Sequence, residues 1–238
     1  MSIVFRQLFD EETCTLTYLL ADALSGDAVM VDSVREHVGR YLALLQDLNL
    51  QLRWLLETHV HADHVTGAGG LSELTGARIV AAAAAGTQCA DHPVSHGDTL
   101  VFGCEVIRVI ATPGHTLGCL TYQWRDRIFT GDALLIGGCG RTDFQGGDAG
   151  TLFDSITGHL FTLPDETLVF PGHDYKGMRV SSIAQEKTSN ARFQGRNREE
   201  FIALMDTLNL PAPKYMDEAL PANLRCGRTD FNLIHHAA

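Results

Sequence analysis

The sequence predicts a mixed α/β (α+β) domain in which two sheets pack face to face and helices cover their outer sides. Two observations carry this. Short β-type runs bounded by turn residues dominate both halves of the 238-residue chain, and each β-rich half is followed by segments with helical spacing. A hydrophobic fraction of 45% is enough for one sizeable core. Residues 1–238 are therefore read as a single domain with a short C-terminal helix and an extended tail from about 195 to 238.

In order, IVFRQLF (3–9), TLTYLL (15–20) and DAVMVD (27–32) are strands. Residues 34–48 place Val38, Tyr41, Leu42, Leu44, Leu45 and Leu48 on a helical period. LRWLLETH (52–59) is an apolar strand running into a His-rich turn; a helix over about 65–75 closes near Gly76, and RIVAA (78–82) is the next strand. The second half repeats the plan. HGDTLVFG (96–103), EVIRVIAT (105–112), CLTYQW (119–124) and RIFTGD (127–132) are successive strands; residues 148–163 are helical, and TLVFPGH (167–173) is a final strand. A helical segment spans about 195–209, and the Pro-rich residues 210–224 form an extended tail. The string CGRTDF occurs at 139–144 and 226–231 with no wider self-similarity, so it is read as coincidence.

The charge of −11 disfavours phosphate backbones and anionic membranes, so no nucleic-acid or membrane partner is expected. No run approaches the ~18 apolar residues of a span, and MSIVFRQLFDEETC has no secretory pattern. Cys14, Cys89, Cys104, Cys119, Cys139 and Cys226 lie far apart without a C-x-x-C, which reads as six reduced thiols in a cytosol-like compartment. The expected location is cytoplasmic: a bacterial cytosol, or a mitochondrial matrix if a transit peptide once preceded Met1.

The chemistry lies in His59-Val60-His61-Ala62-Asp63-His64, at the end of the 52–59 strand. Histidines at i and i+2 converge there if the strand gives way to a loop. Three partners follow at later strand ends: His115 after Gly114, Asp132 after Gly131 and His173 after Gly172, each Gly letting the backbone turn sharply. Imidazole with carboxylate suits zinc, iron or manganese, and with no cysteine in the motif a zinc–thiolate site is not indicated. His92, His96, His159, His235 and His236 lack such context and are read as ordinary core, surface or tail histidines. Asp32 either supports the metal region from behind or caps the following helix. Cys139 reads as a small buried thiol with no base to activate it; Cys104 and Cys119 read as strand residues.

H-x-H-x-D-H with the later G-H, G-D and G-H resembles the metallo-β-lactamase superfamily, which implies an αββα four-layer sandwich with metal in a groove at one edge of the sheets. Within it, THVHADHVTG (58–67), TPGHTLGC (112–119), GGCGRTDFQGGD (137–148), PGHDYKGM (171–178) and LNLPAPKYMDEALPANLRCG (208–227) are similar to the glyoxalase II-like branch, specifically the persulfide dioxygenases. Gly146 departs from that pattern, where a larger polar residue is expected. The resemblance implies one Fe(2+) per chain held by His59, His115 and Asp132, with His61, Asp63, His64 and His173 orienting ligands and waters. Two imidazoles and one carboxylate leave positions open, as in the facial triad of Fe(II) oxygenases, where glutathione persulfide and O2 meet and give sulfite and glutathione. Arg141 and Tyr175, and more weakly Arg225, are the implied glutathione contacts, and a homodimer is one implied assembly. The alternative is a glyoxalase II-like thioester hydrolase with two Zn(2+): His59, His61 and His115 on one, Asp63, His64 and His173 on the other, Asp132 bridging. All seven residues are present, so the ligand list does not separate the two; RTDFQ, PANLRCG and a short C-terminus favour the dioxygenase.

Overall fold

A computed structural model describes residues 3–228. The first sheet holds β1 (Ile3–Phe9), β2 (Leu16–Asp22), β3 (Asp27–Val31), β4 (Gln51–Leu56), β5 (Arg78–Ala82) and β6 (His92–Val94) in sequence order. β1 to β3 are antiparallel and β3 to β6 parallel, because α1 (Val38–Asp47) and α2 (Ala68–Thr75) supply crossovers. The second sheet holds β7 (Thr99–Phe102), β8 (Glu105–Ala111), β9 (Leu120–Trp124), β10 (Arg127–Gly131), β11 (Leu168–Pro171) and β12 (Ser181–Ser182), again in sequence order. Only the β10–β11 pair is parallel, and α3 (Ala149–Ser155) and a π-helical turn over Ile156–Leu160 make that crossover.

Period-2 alternation decides the layers. In β2, Leu16, Tyr18 and Leu20 face the second sheet and meet Phe129, Phe170 and Tyr122, whereas Leu19 and Ala21 face α1 and α2. A third cluster, with Ile128, Val169, Leu152 and Phe201, joins the outer side of the second sheet to α3 and α5 (Arg198–Asp206). The result is the αββα sandwich that the sequence predicts. Burying each large apolar side chain contributes about 1.5–3 kcal/mol before the entropy of ordering is set against it.

Several details depart from the sequence reading. β6, β12 and α4 (Ile183–Ser189) are additional elements, the two strands being too short to show a period. Residues 210–224 are not extended throughout: Met216–Asn223 form α6, with Pro221 inside it, against the metal-loop region. Cys104 lies in the β7–β8 turn and Cys119 just before β9, rather than within strands. Six reduced thiols were expected, but Cys89 and Cys226 form a disulfide, so cysteine spacing supplies no case for a reducing compartment. Their sequence separation of 137 residues hides the pairing, and only the fold brings the 86–91 loop against the turn after α6. His235, His236 and the end of the second CGRTDF lie outside the described residues. No helix among the described residues is long and apolar enough to cross a membrane.

Candidate metal centre

Four strand ends build the site. His59 lies in the loop after β4, His115 after β8, Asp132 directly after β10 and His173 after β11. Backbone bonds stitch the two sheets together at this edge: Leu120 N donates to Thr58 O (2.7 Å) and Leu16 N to Gly172 O (2.8 Å). Gly131 has φ +50°, and a Cβ there would lie 2.3 Å from Thr58 Oγ1, so glycine is required for both the turn and the approach. Gly172 does not make the sharp turn expected of it; its missing Cβ instead leaves room for Asp132 Oδ1, which would be 2.8 Å away.

His59, His115 and Asp132 each offer a donor atom, and these atoms lie within 4.8 Å of one another. Hydrogen bonds behind the imidazoles select which nitrogen is offered. Thr58 Oγ1 donates its only proton to Asp32 Oδ2 (2.7 Å), so it accepts from His59 Nδ1 (3.0 Å). His115 Nδ1 donates to the Arg141 carbonyl (2.7 Å). Both Nε2 atoms are therefore unprotonated lone-pair donors, and His115 Nε2 sits 3.8 Å from Asp132 Oδ2. Burial, reinforced by the charge of His61, pushes His59 well below the usual imidazole range, which keeps it neutral. Burial alone would raise Asp132, but the charge and hydrogen bond of His173, then His59 and His115, hold it well below the usual carboxylate range. Two neutral imidazoles and one carboxylate converging in a cleft are a fit for a divalent borderline metal.

A second cluster adjoins this one, with the His59 and His61 rings 4.1 Å apart. His173 donates from Nδ1 to Asp132 Oδ1 (2.6 Å) and from Nε2 to Asp63 Oδ2 (2.9 Å). Both nitrogens then carry protons. Burial disfavours that charge, but the Asp132 and Asp63 carboxylates carry His173 well above its ordinary value. Asp63 Oδ2 also accepts from His64 Nδ1 (2.9 Å). His61 Nε2 faces Asp32 Oδ1 (3.2 Å) and Glu57 Oε2 (3.6 Å). Burial would lower His61, but Asp32 and Glu57 bring it up to about 9, while burial pushes Glu57 up to about 8. His61 Nδ1 and His64 Nε2 are buried without a hydrogen-bond partner.

Asp32 supports the metal region: it holds Thr58 through both carboxylate oxygens and accepts φ +49° to do so. Sequence reasoning missed Thr58, although it directly precedes His59. It also missed Asn223, whose Nδ2 donates to the His61 and His64 carbonyls (both 2.8 Å) and whose Oδ1 accepts from Thr66 N (2.9 Å). No local signal marks Asn223, which acts across some 160 residues.

The cleft over the metal donors has a volume of about 490 Å³ and includes Leu135, Phe144, Tyr175, Leu210, Pro211 and Met216 in its walls. Tyr175 stacks on His173, with ring centroids 5.4 Å apart. Arg141 lines the cleft, but its guanidinium forks onto Asp143 and donates to the Leu210 and Pro211 carbonyls, fastening the 210–213 segment across the opening. Arg225 does not join them; it is exposed in the turn after α6, outside the residues that line the cleft. Cys139 sits in the wall with its thiol pushed up to about 12 by burial, matching its reading as an unactivated thiol. His92, His96 and His159 lie apart from all these groups.

Comparison with known proteins adds three findings. Residues 15–173 match the family model described as the metallo-beta-lactamase superfamily. The mitochondrial persulfide dioxygenase ETHE1 of Mus musculus is 47% identical over 228 residues, covering 94% of this chain and 89% of its own length. The crystal structure of ETHE1 from Myxococcus xanthus superposes with a TM-score of 0.93 at 54% identity, covering 94% of this chain and 100% of its own. A hydroxyacylglutathione hydrolase of Rhodobacter capsulatus is 39% identical over 174 residues, 71% of this chain and 66% of its own.

Proposed function

The chain belongs to the metallo-beta-lactamase superfamily and, within it, to the persulfide dioxygenases, and from that premise we propose that it oxidises glutathione persulfide with O2 to sulfite and glutathione at a single non-haem Fe(2+) held by His59, His115 and Asp132. It is an oxidoreductase. The observation that carries the reading is the convergence of these three donors, with the imidazole Nδ1 atoms already engaged, in a chain 47% identical to a persulfide dioxygenase over nearly its whole length. When bound, the iron supplies the redox chemistry between sulfur and O2.

The residues do the rest. His59 and His115 hold their Nε2 lone pairs in place through Thr58 and the Arg141 carbonyl. Protonated His173 offsets the charge of Asp132 and keeps one of its oxygens turned away from the cleft centre. Leu135, Phe144, Leu210 and Pro211 keep water away from the sulfur, and Tyr175, fixed on His173, offers its hydroxyl to the peptide of the substrate. Arg141 serves by holding the 210–213 segment over the bound peptide. A glutathione-rich compartment, bacterial cytosol or mitochondrial matrix, is where such a substrate is met.

A dinuclear thioester hydrolase is the second reading, favoured by one observation, the unpartnered His61 Nδ1 and His64 Nε2. Metal analysis of anaerobically prepared protein, with O2 uptake on glutathione persulfide and cleavage of S-lactoylglutathione, separates them. One iron per chain and persulfide-dependent uptake is the expected result; two zincs with thioester cleavage would replace the dioxygenase by the hydrolase.

A further inference from the structure

The cleft opens into a second cavity of about 440 Å³, the two sharing Leu135, Cys139, His173 and Tyr175. Together they form one trough that passes the Tyr175 ring. Its cations differ from end to end. In the metal cleft Arg141 is bonded to Asp143 and Lys214 to Glu12. In the side cavity Lys176 and Arg192 have no ion pair and no side-chain hydrogen bond among the described residues.

The acid in this cavity is already committed. Asp174 accepts from the backbone of Lys176 and Met178 and pairs with Arg179, which points the Asp174 carboxylate away from Lys176 and Arg192 as partners. Position is fixed as well. Asn190 accepts from Arg192 N (2.9 Å) and donates to the Gly138 carbonyl (3.0 Å), pinning the base of Arg192 against the loop that carries Cys139. The Cys139 thiol senses the Arg192 charge, which opposes the effect of burial and places the guanidinium on the cavity side. Two uncommitted cations beside the metal cleft are a pronounced local reversal in a chain of charge −11.

We infer that this side cavity is the carboxylate subsite of the trough: Arg192 and Lys176 receive a carboxylate of the persulfide-bearing peptide while its sulfur end lies over His59, His115 and Asp132. The inference rests on glutathione persulfide being the substrate. A tripeptide spans roughly 10 Å when extended, so a carboxylate remote from the sulfur needs a receptor beyond the cleft itself. A guanidinium offers it a bidentate fork, and an ammonium adds a point charge.

The test compares wild type with Arg192→Met, Lys176→Met and the double variant on two substrates, glutathione persulfide and the carboxylate-free persulfide of 2-mercaptoethanol. The ratio of kcat/KM between them falls about five- to tenfold for Arg192→Met, less for Lys176→Met and most for the double variant, through KM for glutathione persulfide. Arg192→Lys recovers part of the loss, and raised salt erases the difference between wild type and double variant. An unchanged ratio in the double variant, or equal losses on both substrates, overturns the subsite. Calorimetric titration of glutathione into the metal-loaded proteins decides the matter without turnover: weaker binding in the double variant supports it, equal binding removes it. Failure of the proposed function would look different, as a wild type that consumes no O2 with either persulfide.

Discussion

Two histidine–carboxylate clusters of the same chemistry lie side by side, and their hydrogen bonds set them apart. In the His59–His115–Asp132 group, the imidazole Nδ1 atoms are held by Thr58 and the Arg141 carbonyl, which leaves the inner lone pairs free and convergent. In the neighbouring group, Asp63 accepts from both His64 and His173, and His173 spends its second proton on Asp132. The first is open toward the cleft, and the second is largely closed on itself. Residue type nominates a ligand, and the partner of its far atom decides whether it is available.

The largest expected effect breaks or upholds this contrast directly. His115→Ala removes a converging donor, so bound metal and persulfide-dependent O2 uptake fall together by about a thousandfold or more. His64→Ala should keep one metal per chain by elemental analysis and lose only about ten- to a hundredfold in uptake. Equal metal loss in both variants would erase the distinction drawn between the clusters. Thr58→Val sharpens it: without the hydroxyl between Asp32 and His59, metal affinity measured by competition with a chelator drops about tenfold. Thr58→Ser retains the bond and should recover most of that loss.

Asn223→Ala examines the support beneath the closed cluster. It strands Thr66 N and the His61 and His64 carbonyls, costing about 2–4 kcal/mol in a urea melt. A cost near zero would show that the C-terminal turn merely rests on the metal loop. The smallest effect is electrostatic and belongs to the metal-free protein. The carboxyl of Asp63 is depressed, burial being outweighed by His173 and His64. Its contribution is complete above its ordinary value of 3.8 and lost as pH falls through the depressed one. His173 is raised, so its contribution is complete below 6.5 and lost as pH rises through the raised value. Stability of the chelated protein should therefore be greatest between 3.8 and 6.5 for this pair, and His173→Gln should flatten both flanks. A profile identical to wild type would remove the protonated bridge.

Much of the molecule is legible locally. Alternation in β2 and β8, the helical period of residues 38–48 and the glycine that closes α2 are readable because each depends on neighbours along the chain. His59, His115 and Asp132 announce themselves because a ligand at a strand end carries its turn glycine or its motif with it. Arg141 shows the limit of such reading. The sequence marks it as a cation in the right loop, but whether that cation faces substrate or holds Leu210 and Pro211 depends on a segment about 70 residues away.

The sequence by itself determined the sandwich and the three converging donors, since side-chain period and turn chemistry are properties of adjacent residues. Tertiary structure alone decided which imidazole nitrogen is offered, which cations remain uncommitted, that Cys89 meets Cys226 and that Asn223 holds the metal loop. The physical reason is that hydrogen-bond and ion-pair partners are chosen by distance in space, and a folded chain brings together residues that its order keeps far apart.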